Sequence, residues 1–170
     1  MNTANRLNSV KEYYFSKKLR EIEELKKQGV DVINAGIGSP DLAPDNSVIK
    51  ELREQSTKEG AHKYQSYKGL PELRSAFSLW YKNYFKCNLN PDNEILPLMG
   101  SKEGIMHISL AFLNKSDEVL IPDPGYPTYA AAAKMVEANV LKYDLKEENN
   151  WLPCLKSIEK NNLEKVKIMW

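Results

Sequence analysis

Over residues 9–28 the apolar positions keep a helical period. Val10, Tyr14, Ile22 and Leu25 share one stripe, charged residues fill the opposite face, and Gly29 supplies a stop. A short apolar run at 30–34, read as a strand, leads into the turn-rich segment Ala35-Gly36-Ile37-Gly38-Ser39-Pro40-Asp41, after which Asp45 or Asn46 caps a helix expected to reach about residue 58. A loop at 60–69 is dense in tyrosine and lysine. The most regular pattern follows. Pro71 suits a first helical turn, and Leu70, Leu73, Phe77, Trp80, Tyr81 and Tyr84 recur at spacings of three and four.

Residues 94–99 read as a strand, which Pro97 restricts to an edge or an irregular pairing. Gly100-Ser101-Lys102 then opens a helix through residue 113. Its Ile105, Met106, Ile108, Leu110, Phe112 and Leu113 surround the axis, which predicts burial on several faces. Strands at 118–121, 140–143 and 166–170 alternate with helices at 127–137 and 153–160. That alternation predicts an α/β fold class, a mostly parallel sheet flanked by helices. The strand from Val166 is expected to continue into further sheet, so the chain reads as the N-terminal portion of a longer protein, its fold incomplete at the C-terminus.

Composition narrows the function. The 170 residues are 42% hydrophobic and 28% charged, which suits a packed core and argues against wholesale disorder. Lysine and arginine number 24 against 23 acidic residues, a net charge of +1. No nucleic-acid or membrane partner is expected from that balance, since both rest on clustered positive charge. No apolar run approaches the roughly 18 residues a spanning helix needs. Residues 1–10 contain no apolar signal region, so the expected location is cytoplasmic. Cys87 and Cys154 stand in no metal or redox spacing, and His62 and His107 are isolated, so no metal site is expected. His107, within an apolar helical pattern, reads as a core histidine.

Three segments have chemical potential. Gly100-Ser101-Lys102-Glu103-Gly104 lies where a strand meets a helix, a placement that offers backbone N–H groups, a hydroxyl and an ammonium to an anion such as phosphate. A plain helix cap by Ser101 is the competing reading. Tyr126 follows Pro122-Asp123-Pro124-Gly125 at the carboxyl end of a strand, the edge where parallel sheets hold ligands, and its ring suits either stacking on a planar ligand or packing. Gly36-Ile37-Gly38 lacks the third glycine of a dinucleotide fingerprint, its place held by Asp41, and reads as a turn.

Taken in order, four blocks resemble the N-terminal half of class I/II aminotransferases, fold-type-I enzymes that depend on pyridoxal 5′-phosphate. Gly38-Ser39-Pro40-Asp41-Leu42 is similar to the family's Gly-x-Pro-Asp-Phe segment. Tyr64 through Gly69-Leu70-Pro71-Glu72-Leu73-Arg74 resembles its Tyr-x4-Gly-Leu-Pro-Glu-Leu-Arg block. Gly100 through Gly104 resembles its phosphate loop, and Asp117 through Tyr129 its ring-stacking segment. The loop and ring-stacking forms are most similar to the diaminopimelate-type branch.

The resemblance implies amino-group transfer between an amino acid and a 2-oxo acid, with pyridoxal 5′-phosphate as cofactor and a homodimer in the full-length protein. It implies that Gly100, Ser101 and Lys102 hold the cofactor phosphate, Tyr126 stacks on its ring, and Tyr64 reaches the cofactor of a partner subunit. Gly38 and Ile37 would meet the substrate. Residues 1–45 would belong to a small domain and 46–170 to the first part of the large cofactor-binding domain. No catalytic residue is assigned within the chain: the imine-forming lysine is expected beyond Trp170, so the chain alone is expected to be inactive. A carbon–sulfur lyase or decarboxylase of the same superfamily, and a non-catalytic split binding module, are the alternatives.

Overall fold

Val119, Leu120 and Ile121 are 0, 2 and 6% exposed. Successive strand residues face opposite sides, so burial of all three means that β1 (Glu118–Asp123) is covered on both faces. A computed structural model gives this fold and describes residues 2–10, 12–36, 38–160 and 162–170. The chain divides into two units, one comprising the N-terminal segment with Leu98–Trp170 and the other Glu12–Pro97.

In the first unit β2 (Asn139–Asp144) and β3 (Val166–Met169) flank β1, all parallel, in the order β2-β1-β3. Val119 pairs with Val140 and Leu120 with Leu141, while the β3 side shifts register between Glu118 and Val119. Parallel neighbours need a crossover, and α5 (Pro127–Met135) supplies the one between β1 and β2. Its alanines let it approach the sheet closely. Ala133 joins Leu113, Val119, Ile121 and Ala138 in the core, with Tyr129, Val140, Ile168 and Trp170 packed around them. α4 (Ser101–Phe112) packs on α5 and buries Gly104, Ile105 and Ser109. The buried Ser109 hydroxyl donates to the Ile105 carbonyl at 2.8 Å, which satisfies it within the helix.

The second unit contains α1 (Tyr14–Lys27), α2 (Asn46–Ser56) and α3 (Pro71–Phe85). Asp45 caps α2, its carboxylate accepting from the Ser47 N–H at 2.8 Å. Arg74, only 7% exposed, is the buried charge of this unit. Its guanidinium donates to the carbonyls of Gly69 (2.7 Å), Lys68 (3.2 Å) and Pro91 (2.7 Å), with Asp92 at 3.7 Å. The planar fork thus ties the end of the 60–69 loop to the turn after α3.

Several expectations change. Residues 94–99 form no strand: no neighbouring strand pairs with them, and Pro97 cannot donate to a ladder. The run at 30–34 is likewise irregular, without a ladder partner. The first helix starts at Tyr14, preceded by a separate 3₁₀ turn at Asn5–Ser9, and the helix expected over 153–160 shrinks to α6 (Leu155–Ile158). α4 is buried along one face, not several. Phe112 is 66% exposed, Ile108 and Leu110 are exposed, and His107 is a surface residue and not a core histidine, because α5 covers only the Gly104–Ile105–Ser109 side.

Substituting Arg74 by leucine orphans three carbonyls and is expected to cost about 2–4 kcal/mol. Arg74→Lys, which keeps the charge but not the fork, should recover only part of it. Urea unfolding midpoints of the three proteins check the order.

Candidate functional site

The amino end of α4 is built on a backbone only glycine tolerates. Gly100, at the N-cap, has φ 110° and ψ 157°, a region closed to residues with a Cβ. The cap is therefore glycine and not Ser101. It offers no side chain to the first-turn N–H groups, and Ser101 becomes the first helical residue. Glu103, in the first turn, points backward: its carboxylate accepts from the Met99 N–H at 2.6 Å. This end carries the helix dipole, the first-turn N–H groups, the Ser101 hydroxyl and the Lys102 ammonium, a donor set that matches an anion.

Tyr126 comes from the segment that joins β1 to α5. β1 ends at Asp123, the Asp123–Pro124 peptide is cis, and Gly125 closes the turn. A Cβ on Gly125 would collide with the Pro122 carbonyl oxygen, so only glycine fits. Tyr126 is then the N-cap of α5, with Pro127 at the first helical position. The Lys102 Nζ lies 5.7 Å from the centroid of the Tyr126 ring, over its face. The phosphate-type loop and the candidate stacking ring therefore meet in one place.

The Tyr126 hydroxyl is held below the ordinary phenol range, chiefly by the Thr128 hydroxyl, against an opposing effect of burial and with further help from the Lys102 ammonium. Burial pushes the Tyr143 hydroxyl the other way, with Tyr129 adding to it. Tyr143 donates to the main-chain oxygen of Trp170 at 2.6 Å.

Of the residues singled out in the sequence, Gly100, Ser101, Lys102 and Tyr126 are brought together. Tyr64 and Gly38 belong to the other unit, both exposed, Tyr64 to the full extent of its side chain (108%). Ile37 lies outside the described residues. Thr128 and Glu103 had no assigned part. The acid at the third helical position signals Glu103, whereas the two-residue offset of Thr128 from Tyr126 carries no sequence signal. A polar hollow of about 380 Å³ at the end of β2, lined by Tyr143, Lys146, Cys154 and Ser157 among others, contains none of the expected site residues. Among the described residues no group of three or more His, Cys, Asp or Glu is placed to hold a metal, and no helix is long and apolar enough to cross a membrane.

Comparison with known proteins adds the family. Residues 30–170 match the family model for aminotransferase class I and II. The chain belongs to this family. It is 39% identical over all 170 residues to an LL-diaminopimelate aminotransferase of Dehalococcoides mccartyi, and 41% identical over 167 residues (98% of the chain) to one of Aquifex aeolicus. It spans 44% and 43% of those relatives, respectively, so it corresponds to less than half of their length. Among solved structures, apo BacF of Bacillus subtilis superposes with a TM-score of 0.91 at 32% identity, and an alanine aminotransferase of Pyrococcus furiosus with 0.89 at 31%. Each match covers 99% of this chain and 43% of the other.

Because Tyr126 is easier to ionise in the folded chain, it should be the first tyrosine to give a phenolate absorbance step on alkaline titration, and Tyr126→Phe should remove that step. Thr128→Val should move it upward. The sign for stability follows from the lowered folded value. The contribution is fully present above the unfolded value near about 10 and is lost as pH falls through the lowered folded value. Tyr126→Phe should therefore narrow the stability gap to wild type as pH drops through that window, read by thermal melting.

Proposed function

We propose that the chain carries the phosphate cradle and ring-covering wall of a pyridoxal 5′-phosphate-dependent amino-acid aminotransferase. The observation that supports this most is the glycine-capped amino end of α4 placed with Lys102 over the face of Tyr126. A planar ring bearing a dianionic tail fits such a pair: donors and positive charge for the tail, an aromatic face for the ring. When bound, this cofactor supplies an electron sink for the substrate's Cα. The chain's own residues bind and orient. Gly100 and the first-turn N–H groups receive the phosphate with Ser101 and Lys102, and Tyr126 covers one face of the ring and keeps water from it.

In this reading Tyr64 serves the phosphate site of a second copy in a homodimer, and Gly38 and Ile37 line the amino-acid and 2-oxo-acid substrate site. Full exposure of Tyr64 on a loop pinned by Arg74 supports its reaching outward. Residues 1–45 fall to a small domain and 46–170 to the large one. Identity near 40% to LL-diaminopimelate aminotransferases supports a diamino dicarboxylic acid as amino donor. The lysine and aspartate that the chemistry needs for imine formation and ring protonation fall to a further portion of the fold. Lys102 sits at the phosphate end and does not take the role of that lysine.

Equilibrium titration of the 170-residue chain with pyridoxal 5′-phosphate tests the reading. Lys102→Met should weaken binding about tenfold to a hundredfold, the loss of one charge-assisted contact. The same variant should leave binding of unphosphorylated pyridoxal unchanged. Failure of the wild-type chain to bind, or equal binding by the variant, would overturn the proposal. The chain alone should show no transaminase turnover with any amino donor, and measurable turnover would refute its assignment as a cofactor-holding portion only.

A further inference from the structure

Tyr129 stands three residues beyond Tyr126, in the first turn of α5, and its N–H donates to the Tyr126 carbonyl at 3.1 Å. Its ring meets that of Tyr126 edge-on, centroids 5.7 Å apart at 82°. Its ring also lies parallel to Trp170, at 5.4 Å and 5°. Tyr129 therefore touches two aromatic rings of different standing. Tyr126 is 38% exposed and faces the candidate ligand site, whereas Trp170 is fixed to the sheet. The Trp170 main-chain N–H donates to the Leu120 carbonyl of β1 at 2.9 Å, and its main-chain oxygen accepts from Tyr143 of β2 at 2.6 Å. Tyr129 itself packs against the core of Leu113, Val119, Ile121, Ala133 and Ala138.

We propose that Tyr129 is a positioning residue: held between the sheet-anchored Trp170 and the half-exposed Tyr126, it fixes the plane of the Tyr126 ring on which a planar, phosphate-bearing ligand stacks. A partly exposed tyrosine otherwise samples several rotamers, and selecting one on binding costs affinity. The edge-to-face contact makes that selection before the ligand arrives. The contact is made by the ring and needs no hydroxyl, so phenylalanine should serve as well as tyrosine at 129, and leucine should not. Ring placement stands on the chain's own geometry, and its use for a ligand rests on the reading of Tyr126 given above.

The test uses the 170-residue chain with Tyr129→Phe, Tyr129→Leu and Trp170→Leu. The ring-current shift of the Lys102 ε-methylene protons, identified by its loss in Tyr126→Leu, reports where the Tyr126 ring sits. It should persist in Tyr129→Phe and collapse in Tyr129→Leu, while the amide signals of Val119, Leu120 and Ile121 stay in place. Titration with pyridoxal 5′-phosphate should show about a tenfold loss in Tyr129→Leu and none in Tyr129→Phe, with inorganic phosphate binding equal in all three. A Tyr129→Leu chain that keeps both the Lys102 shift and the β1 signals overturns the proposal. Should Tyr129→Leu lose the β1 signals, folded Trp170→Leu decides: a reduced Lys102 shift supports the ladder and an unchanged one sinks it. A wild-type chain that fails to bind the vitamer defeats the cofactor reading, and the ring-current comparison still decides the role of Tyr129.

Discussion

Burial of β1 on both faces is the constraint on which the first unit rests. Val119 and Ile121 point into the core under α5, and Leu120, between them, is buried on the opposite face. Three large aliphatic side chains withdrawn from water in succession drive the assembly, at about 1.5–3 kcal/mol each. They also leave β1 no choice but to be central, paired with β2 on one edge and β3 on the other. A central strand directs its carboxyl end into the middle of the sheet's ligand-facing edge. There the chain leaves through Pro122, Asp123 and Gly125 and delivers Tyr126.

The candidate site is assembled from two helix beginnings. α4 starts on a glycine that brings no side chain to the cap, and Glu103 in its first turn turns back to Met99. α5 starts on Tyr126 itself. Lys102 links the two, its ammonium over the tyrosine face at 5.7 Å and its charge easing ionisation of the hydroxyl beside Thr128. Behind Tyr126 the rings of Tyr129 and Trp170 run back to the sheet. A ligand with an anionic end and a flat end would find both features already placed, which lowers the ordering cost of binding.

The second unit uses a different device. Arg74 spends its donors on the carbonyls of Lys68, Gly69 and Pro91, so the loop before α3 is held at its base while Tyr64 and Tyr67 project fully into solvent. Along α3, Trp80 forms close ring contacts with Tyr81, Tyr84 and Phe85, and much of that aromatic surface is exposed. Burial of one arginine thus stabilises the scaffold, and the aromatic side chains remain available for contacts outside the unit.

Local chemistry was legible wherever a residue acts on its immediate neighbours. Pro71 and Asp45 began their helices where the pattern put them, and the alternation of strands and helices gave a parallel sheet. These depend on short-range sterics and periodicity, which a linear sequence carries in full. What it could not carry was pairing and coverage. Residues 94–99 have strand-like composition and yet form none, because a strand exists only with a neighbour to bond. His107 and Phe112 sit in an apolar pattern and yet face solvent, because only one flank of α4 is covered by α5. The approach of Lys102 to Tyr126 and the stacking of Tyr129 on Trp170 were likewise decided in three dimensions, since each joins groups whose separation along the chain says nothing of their distance in space.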